Sequence, residues 1–299
     1  MAEKEHVSFH DQISRNKWKS FFLIFIVFAV LVGITYVFGL IYSDFFFVIM
    51  IFGIIISIVY IGISYYFSDK IALASIGAKE AGDIQYRQLH NTVEGLCIAS
   101  GMPKPRIYIM SDPQINAFAT GRNPQNSVIC VTTGALEKLN KQELEGVIGH
   151  ELSHIANYDI RFMTLVSVLV GMIAIVSEIF LRSLWFRGGS DREGKGNVIL
   201  MIIGLVLAIL APIIVQLVQL AISRKREFMA DASSVKFTRY PRGLISALKK
   251  IDSDVSMKTH QVPKAVAPLF ISEPFKERMS SLLSTHPPIK ARVAALERM

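Results

Sequence analysis

Four long stretches of this chain are too apolar for the surface of a soluble protein, and they constrain its fold more than any other feature. Ser20 to Ser43 runs for 24 residues without a charge, and Phe45 to Ser68 matches it in length. Asp44 alone separates the two, so they predict a tight helical hairpin. Phe162 to Leu181 carries one acid, Glu178, near its end. Asn197 to Ser223 is uncharged over 27 residues and contains Pro212, Gln216 and Gln219. About 20 apolar residues at a rise of 1.5 Å cross a hydrocarbon core roughly 30 Å thick, so all four stretches qualify as transmembrane helices. A composition that is 52% hydrophobic, with a mean hydropathy of +0.42, fits that reading and excludes a disordered chain.

A cleaved signal peptide needs a short apolar core and a small-residue cleavage site, which the first stretch lacks, so it reads as an anchor. The net charge of +8 raises nucleic acid and an anionic membrane as partners. Its placement favours the membrane. Lys4, Arg15, Lys17 and Lys19 precede the first stretch, Lys70, Lys79 and Arg87 follow the second, and the turn between them has no basic residue. The positive-inside rule then puts both flanks in the cytoplasm, with the chain in the inner (cytoplasmic) membrane. The linker bearing Arg182, Arg187, Arg192 and Lys195 runs against this rule, so the second pair either follows the first hairpin's orientation or dips in without crossing. Glu178 stands four residues before Arg182, and an i,i+4 pair accounts for it. No basic stripe interleaved with aromatics is present, and no nucleic-acid partner is expected. Cys97 and Cys130 make neither a disulfide framework nor a cysteine-based zinc module.

The expected organisation is an N-terminal segment 1–19, a membrane hairpin 20–68, a first polar part 69–161, a second membrane hairpin 162–223 and a C-terminal part 224–299 that completes the same domain. In the first polar part, Tyr86 to Ala99 has helical spacing and is ended by Gly101 and Pro103, while Arg106 to Met110 alternates as a strand. Ala117 to Thr120 and Val128 to Thr132 read as two more strands, joined by Gly121-Arg122-Asn123-Pro124-Gln125-Asn126 as a hairpin turn. Asn140 then opens a helix as its N-cap, with Glu143 three residues on in a capping-box pattern.

That helix carries His150-Glu151-Leu152-Ser153-His154. Histidines at i and i+4 project from one face and can share a cation, and Glu151, beside the first, can reach a water at that cation. A catalytic zinc ordinarily takes three protein donors and leaves one position open. Glu227 is the best candidate for the third donor, in Ser223-Arg224-Lys225-Arg226-Glu227-Phe228-Met229-Ala230-Asp231. It shares a helical face with Asp231, which suits one carboxylate on the metal and the other orienting a ligand histidine. A solvated charged helix following a membrane span explains the same residues.

These residues resemble the HtpX-type membrane zinc metalloproteases, relatives of the prenyl-protein (CAAX) proteases. The resemblance runs from about Pro103 to the C-terminus. It includes Asn116-Ala117-Phe118-Ala119-Thr120-Gly121, the H-E-x-x-H helix with Asn157 and Asp159, Arg226-Glu227 with Ala230-Asp231, and His286-Pro287 followed by Arg292. It implies zinc held by His150, His154 and Glu227, Glu151 as general base and acid, and Asp231 as a carboxylate behind the ligands. It further implies a substrate-binding edge at Asn116, Ala117 and Phe118, where a peptide adds as a strand. His286 and Arg292 resemble a pair that assists at the active site. The role of Asp159 is less defined, and Tyr158 stands where the family's glycine is expected.

The fold expected is therefore a mainly α membrane protein with four transmembrane helices and an α+β zincin-like metalloprotease domain containing a small β-sheet. Its partners would be the lipid bilayer and protein substrates, membrane proteins or unfolded segments, cleaved in protein quality control. Glu227 lies four residues past Ser223, which places the site about 6 Å along a continuing helix from the apolar stretch. A non-catalytic zinc scaffold and a CAAX-type processing protease are the competing readings.

Overall fold

The computed structural model describes residues 9–41, 43–166, 204, 224–254, 269–271 and 287–299. Helix α1 (Phe9–Ile41) leads through a 3-10 turn (Ser43–Phe45) into α2 (Phe46–Tyr66), the hairpin expected from the sequence. The two helices pack so closely that a Cβ on Gly53 would lie 2.0 Å from Thr35 Cγ2, so only glycine permits the approach. Small residues serve this purpose between helices in lipid, where no water is released to drive association. Phe21, Phe25, Phe47, Ile51, Phe52, Ile55 and Ile56 project outward and stay exposed. Among the described residues α1 and α2 are the two helices long and apolar enough to cross a membrane. The third and fourth apolar stretches, with Glu178 and the basic linker, lie outside the described residues apart from 162–166 and 204.

A short helix α3 (Ser68–Ser75) follows, then β1 (Lys79–Glu80), α4 (Arg87–Ser100), β2 (Arg106–Met110), β3 (Ala117–Asn123) and β4 (Asn126–Thr132). The strands form one sheet in the order β1-β2-β4-β3, with β2 parallel to β4 and the other pairs antiparallel. The expected hairpin is β3–β4, and its turn is tighter than the six-residue linker implied. Asn123 Oδ1 accepts from Asn126 N at 2.8 Å, which closes the loop around Pro124 and Gln125. Gly101, in a left-handed conformation at φ 70°, ends α4 as the sequence indicated.

Helix α5 (Thr133–Lys138) leads into α6 (Lys141–Ala156), the central element of the fold. Asn140 and Glu143 form the expected reciprocal capping box, at 3.0 and 2.8 Å. Leu144, Val147, Ile148 and Leu152 of α6 share a core with Ile129 and Val131 of the sheet. After α6, Tyr158 sits at φ 59°, a left-handed position that favours glycine, and a further helical segment is described over 159–166. Helices α7 (Arg224–Thr238), α8 (Pro241–Ser253) and α9 (Ile289–Leu296) complete the fold. Leu244, Ala247 and Leu248 of α8 and Val293 and Leu296 of α9 join the same core.

Candidate metal centre

Two glycines on α6 bring the C-terminal helices in. A Cβ on Gly146 would meet Leu244 N at 2.7 Å, and one on Gly149 would meet Ser234 Oγ at 2.8 Å. Ser234 Oγ also donates to Gly146 O at 2.7 Å, fastening α7 to α6. This close crossing sets Glu227 against the H-E-x-x-H face.

His150, His154 and Glu227 are all buried, and one ligand atom from each falls within a group spanning at most 4.8 Å. His154 Nε2 lies 3.2 Å from His150 Nε2. Glu227 Oε2 lies 3.5 Å from His150 Nε2, and Glu227 Oε1 lies 3.6 Å from His154 Nε2. Atoms bound about 2.0–2.1 Å from a tetrahedral zinc stand about 3.3 Å apart, close to the imidazole–imidazole distance and to the distance from each imidazole to its own Glu227 oxygen.

The far nitrogens of both rings are committed to carboxylates. His150 Nδ1 donates to Asp231 Oδ1 at 2.9 Å, and His154 Nδ1 donates to Asp159 Oδ2 at 3.1 Å. Neutral rings that spend their N–H in this way present bare lone pairs at Nε2. Two such lone pairs and a carboxylate converging in a buried space repel one another unless a cation lies between them. The donor set therefore fits a divalent metal. With a proton as the sole cation at hand, burial and the Arg292 charge oppose protonation of His150. The hydrogen bonds to Asp231 and Glu227 outweigh both and hold it at about 9.

Arg292 is fully buried and grips Asp231 with two bonds, Nε to Oδ2 at 2.9 Å and Nη2 to Oδ1 at 2.6 Å. Its Nη1 lies 3.7 Å from Glu227 Oε2. Burial works against the charge on each partner. The pairing wins, so the Asp231 carboxyl is held below its ordinary range and the Arg292 cation is strengthened by Asp231, Glu227 and Glu151.

The structure thus brings His150, His154, Glu227, Asp231 and Arg292 together, with Glu151 buried on the same helix. His286 lies outside the described residues. Asn116 is buried at the head of β3, where its Oδ1 accepts from Ala117 N at 3.1 Å and its backbone N donates to Thr132 Oγ1 at 3.0 Å. Beyond β3, Ala117 O accepts from Ile271 N at 2.9 Å, and Phe118 forms an antiparallel bridge with Phe270. Sequence reasoning left the role of Asp159 open and missed Asn16, whose Nδ2 donates to Asp159 Oδ1 at 2.7 Å. Nothing local to Asn16 could have revealed a partner 143 residues away.

Residues 83–299 match Peptidase family M48. The chain is 46% identical over 241 residues to a protease HtpX homolog of Caldanaerobacter subterraneus, covering 79% of this chain and 80% of that one. It is 44% identical over 294 residues to the homolog of Dictyoglomus turgidum, covering 98% and 95%. For the homolog of Streptococcus pyogenes the values are 40% over 297 residues, covering 97% and 99%. The crystal structure of S. mikatae Ste24p is similar at a TM-score of 0.48 and 20% identity, covering 91% of this chain and 63% of that one. With nearly three quarters of its length matched to the family and near full-length relatives at such identities, the chain belongs to peptidase family M48 and is a membrane metalloprotease.

Proposed function

We propose that the metal is zinc, held by His150, His154 and Glu227, and that the chain is an endopeptidase hydrolysing internal bonds of membrane or misfolded proteins. The observation that carries this reading is the convergence of two imidazole Nε2 atoms and the Glu227 carboxylate within 4.8 Å. Zinc bound there would supply Lewis-acid activation of a water and of the scissile carbonyl. Glu151 takes the proton of the attacking water and passes it to the leaving amine. Asp231 and Asp159 hold the ligand rings in the tautomer that leaves Nε2 free, and Arg292 fixes Asp231. His286, six residues before Arg292, assists the developing oxyanion.

The substrate backbone adds along the outer side of β3, at Asn116, Ala117 and Phe118. Residues 269–271 already pair with this edge, through the Phe118–Phe270 bridge and Ile271 N on Ala117 O, so a substrate strand must take their place. The active site faces the cytoplasm at the inner membrane, and the second apolar pair, 162–223, interrupts the protease domain. Placing the metal at the start of α7, just after the fourth apolar stretch, favours substrates that emerge from the bilayer and a role in quality control.

The test is to incubate the reconstituted chain with a membrane-protein substrate, with and without chelator, beside Glu151→Gln. Cleavage should stop with chelator, return on addition of zinc, and be absent from Glu151→Gln. Cleavage that survives chelation, or that Glu151→Gln performs at full rate, overturns the reading.

A further inference from the structure

The start of the first membrane helix reaches the metal centre through a single side chain. Asn16, buried on α1, has two amide hydrogens and uses both on the loop that follows α6. One goes to Asn157 O at 2.9 Å and the other to Asp159 Oδ1 at 2.7 Å. Asp159 in turn receives His154 Nδ1 on its other oxygen, Oδ2, at 3.1 Å. The next residue of α1, Lys17, places Nζ 4.5 Å from the centre of the Tyr158 ring. Consecutive residues of α1 therefore hold three consecutive residues of this loop, 157, 158 and 159.

The loop needs holding. Tyr158 occupies φ 59°, which costs a non-glycine residue on the order of 1 kcal/mol, so the loop left to itself would relax toward other conformations. Relaxation would move Asp159 away from His154 and free that ring to rotate or change tautomer. Arg226 Nη1 also reaches Asp159 Oδ1, at 3.4 Å against 2.7 Å for Asn16 Nδ2.

We infer that Asn16 is a positioning residue of the metal centre. By fixing Asp159 and the strained Tyr158 turn it orients His154, so metal retention depends on α1 being docked against the protease domain. This rests on the proposed ligand set. Its consequence is that the membrane anchor is part of the catalytic assembly: a chain whose α1 is undocked holds its metal loosely and cleaves poorly.

The test is metal release from the full-length protein in detergent or bilayer, loaded with zinc or cobalt and challenged with excess chelator. Asn16→Leu keeps the volume and removes both donors. It should release metal on the order of 10-fold faster than wild type, the scale seen when a partner behind a metal-bound histidine is lost. The visible spectrum of the cobalt form should shift as His154 reorients. In an Asp159→Asn background the same substitution should add less than about two-fold, because its route to the metal is already cut. Leu23→Ala, which loosens α1 packing on Phe162 and Leu165 but leaves the Asn16 bonds in place, should lower thermal stability and speed release by clearly less than Asn16→Leu does. If Asn16→Leu does not accumulate, Asn16→Ala carries the same comparison. Wild-type release from Asn16→Leu, full additivity with Asp159→Asn, or equal loss in Leu23→Ala overturns the inference. A wild-type chain that never binds metal overturns the ligand set instead.

Discussion

Arg292 closes on Asp231 through two parallel bonds of 2.9 and 2.6 Å, with both side chains almost completely removed from water. The pair joins α9, near the C-terminus, to the face of α7 that carries Glu227, and Asp231 passes the restraint on to His150 at 2.9 Å. A buried bidentate pair of this kind is specific in geometry and costly to break from one side.

Arg292→Met should therefore do more harm than the loss of one contact. It strips Asp231 and Glu227 of the Arg292 charge, and breaking a buried pair from one side carries a penalty of about 3–5 kcal/mol. For a domain of this size the thermal midpoint of the metal-free protein should fall by about 10 °C. Adding Asp231→Asn should recover part of that loss by removing the stranded charge. Thermal unfolding of the single and double variants in detergent checks both statements, and a double variant less stable than Arg292→Met would refute this account of the pair.

Glu227 and Glu151 should separate cleanly in metal content. Glu227→Ala removes a proposed ligand and should lower the metal-to-protein ratio well below one, with activity lost in parallel. Glu151→Gln should keep the metal and lose turnover by about 100-fold or more, the contribution of a positioned general base. Elemental analysis beside a cleavage assay distinguishes them. Full metal content in Glu227→Ala would remove it from the ligand set.

Close helix crossing makes Gly149 a control point for the site. A methyl group there would meet Ser234 Oγ at 2.8 Å and Ser234 Cα at 3.3 Å, so α7 must yield by a few tenths of an ångström. Overpacking of this sort costs about 1–3 kcal/mol, and here the displaced helix carries Glu227. Gly149→Ala should therefore speed metal release several-fold while folding is retained. Ser234→Gly in the same chain, which removes the obstructing side chain, should reverse part of that effect. The measurement is again release into chelator.

Much of this centre was legible because its residues lie close in sequence or in short motifs. The i,i+4 spacing of His150 and His154 put both imidazoles on one face, and the i,i+4 spacing of Glu227 and Asp231 put both carboxylates on another, once a helix was granted to each. Asn140 and Glu143 announced the start of α6, and the run from Gly121 to Asn126 announced the hairpin. What stayed hidden depends on long-range approach. Two-residue β1 has no periodicity to read, and the parallel pairing of β2 with β4 leaves no local signal. Gly146 and Gly149 look like ordinary helix residues until α7 and α8 are seen against them. Asn16 looks like one polar residue before an apolar stretch until Asp159 is seen beside it.

Acid should loosen the other end of α6 first. Glu143 is buried and accepts from Lys250 Nζ at 2.7 Å, Ser246 Oγ at 2.6 Å and the Asn140 backbone at 2.8 Å. Burial alone would raise its pKa, but these bonds and the lysine charge prevail and hold it below the ordinary carboxylate value. A depressed carboxylate contributes stability that is complete above the unfolded-state pKa of about 4.3 and lost as pH falls through the lower folded-state value. Because Glu143 ties the N-terminus of α6 to α8, the protein should lose stability on acidification through that window, and Glu143→Gln should flatten the loss. At pH 7 the variant should already be less stable by about 1 kcal/mol or more, since it gives up the charge-assisted pairing with Lys250, while its amide oxygen can still accept from the Asn140 backbone. Thermal midpoints of the two proteins between pH 7 and about pH 3.5 test this, and parallel acid slopes would show that the stability lost there comes from other carboxylates.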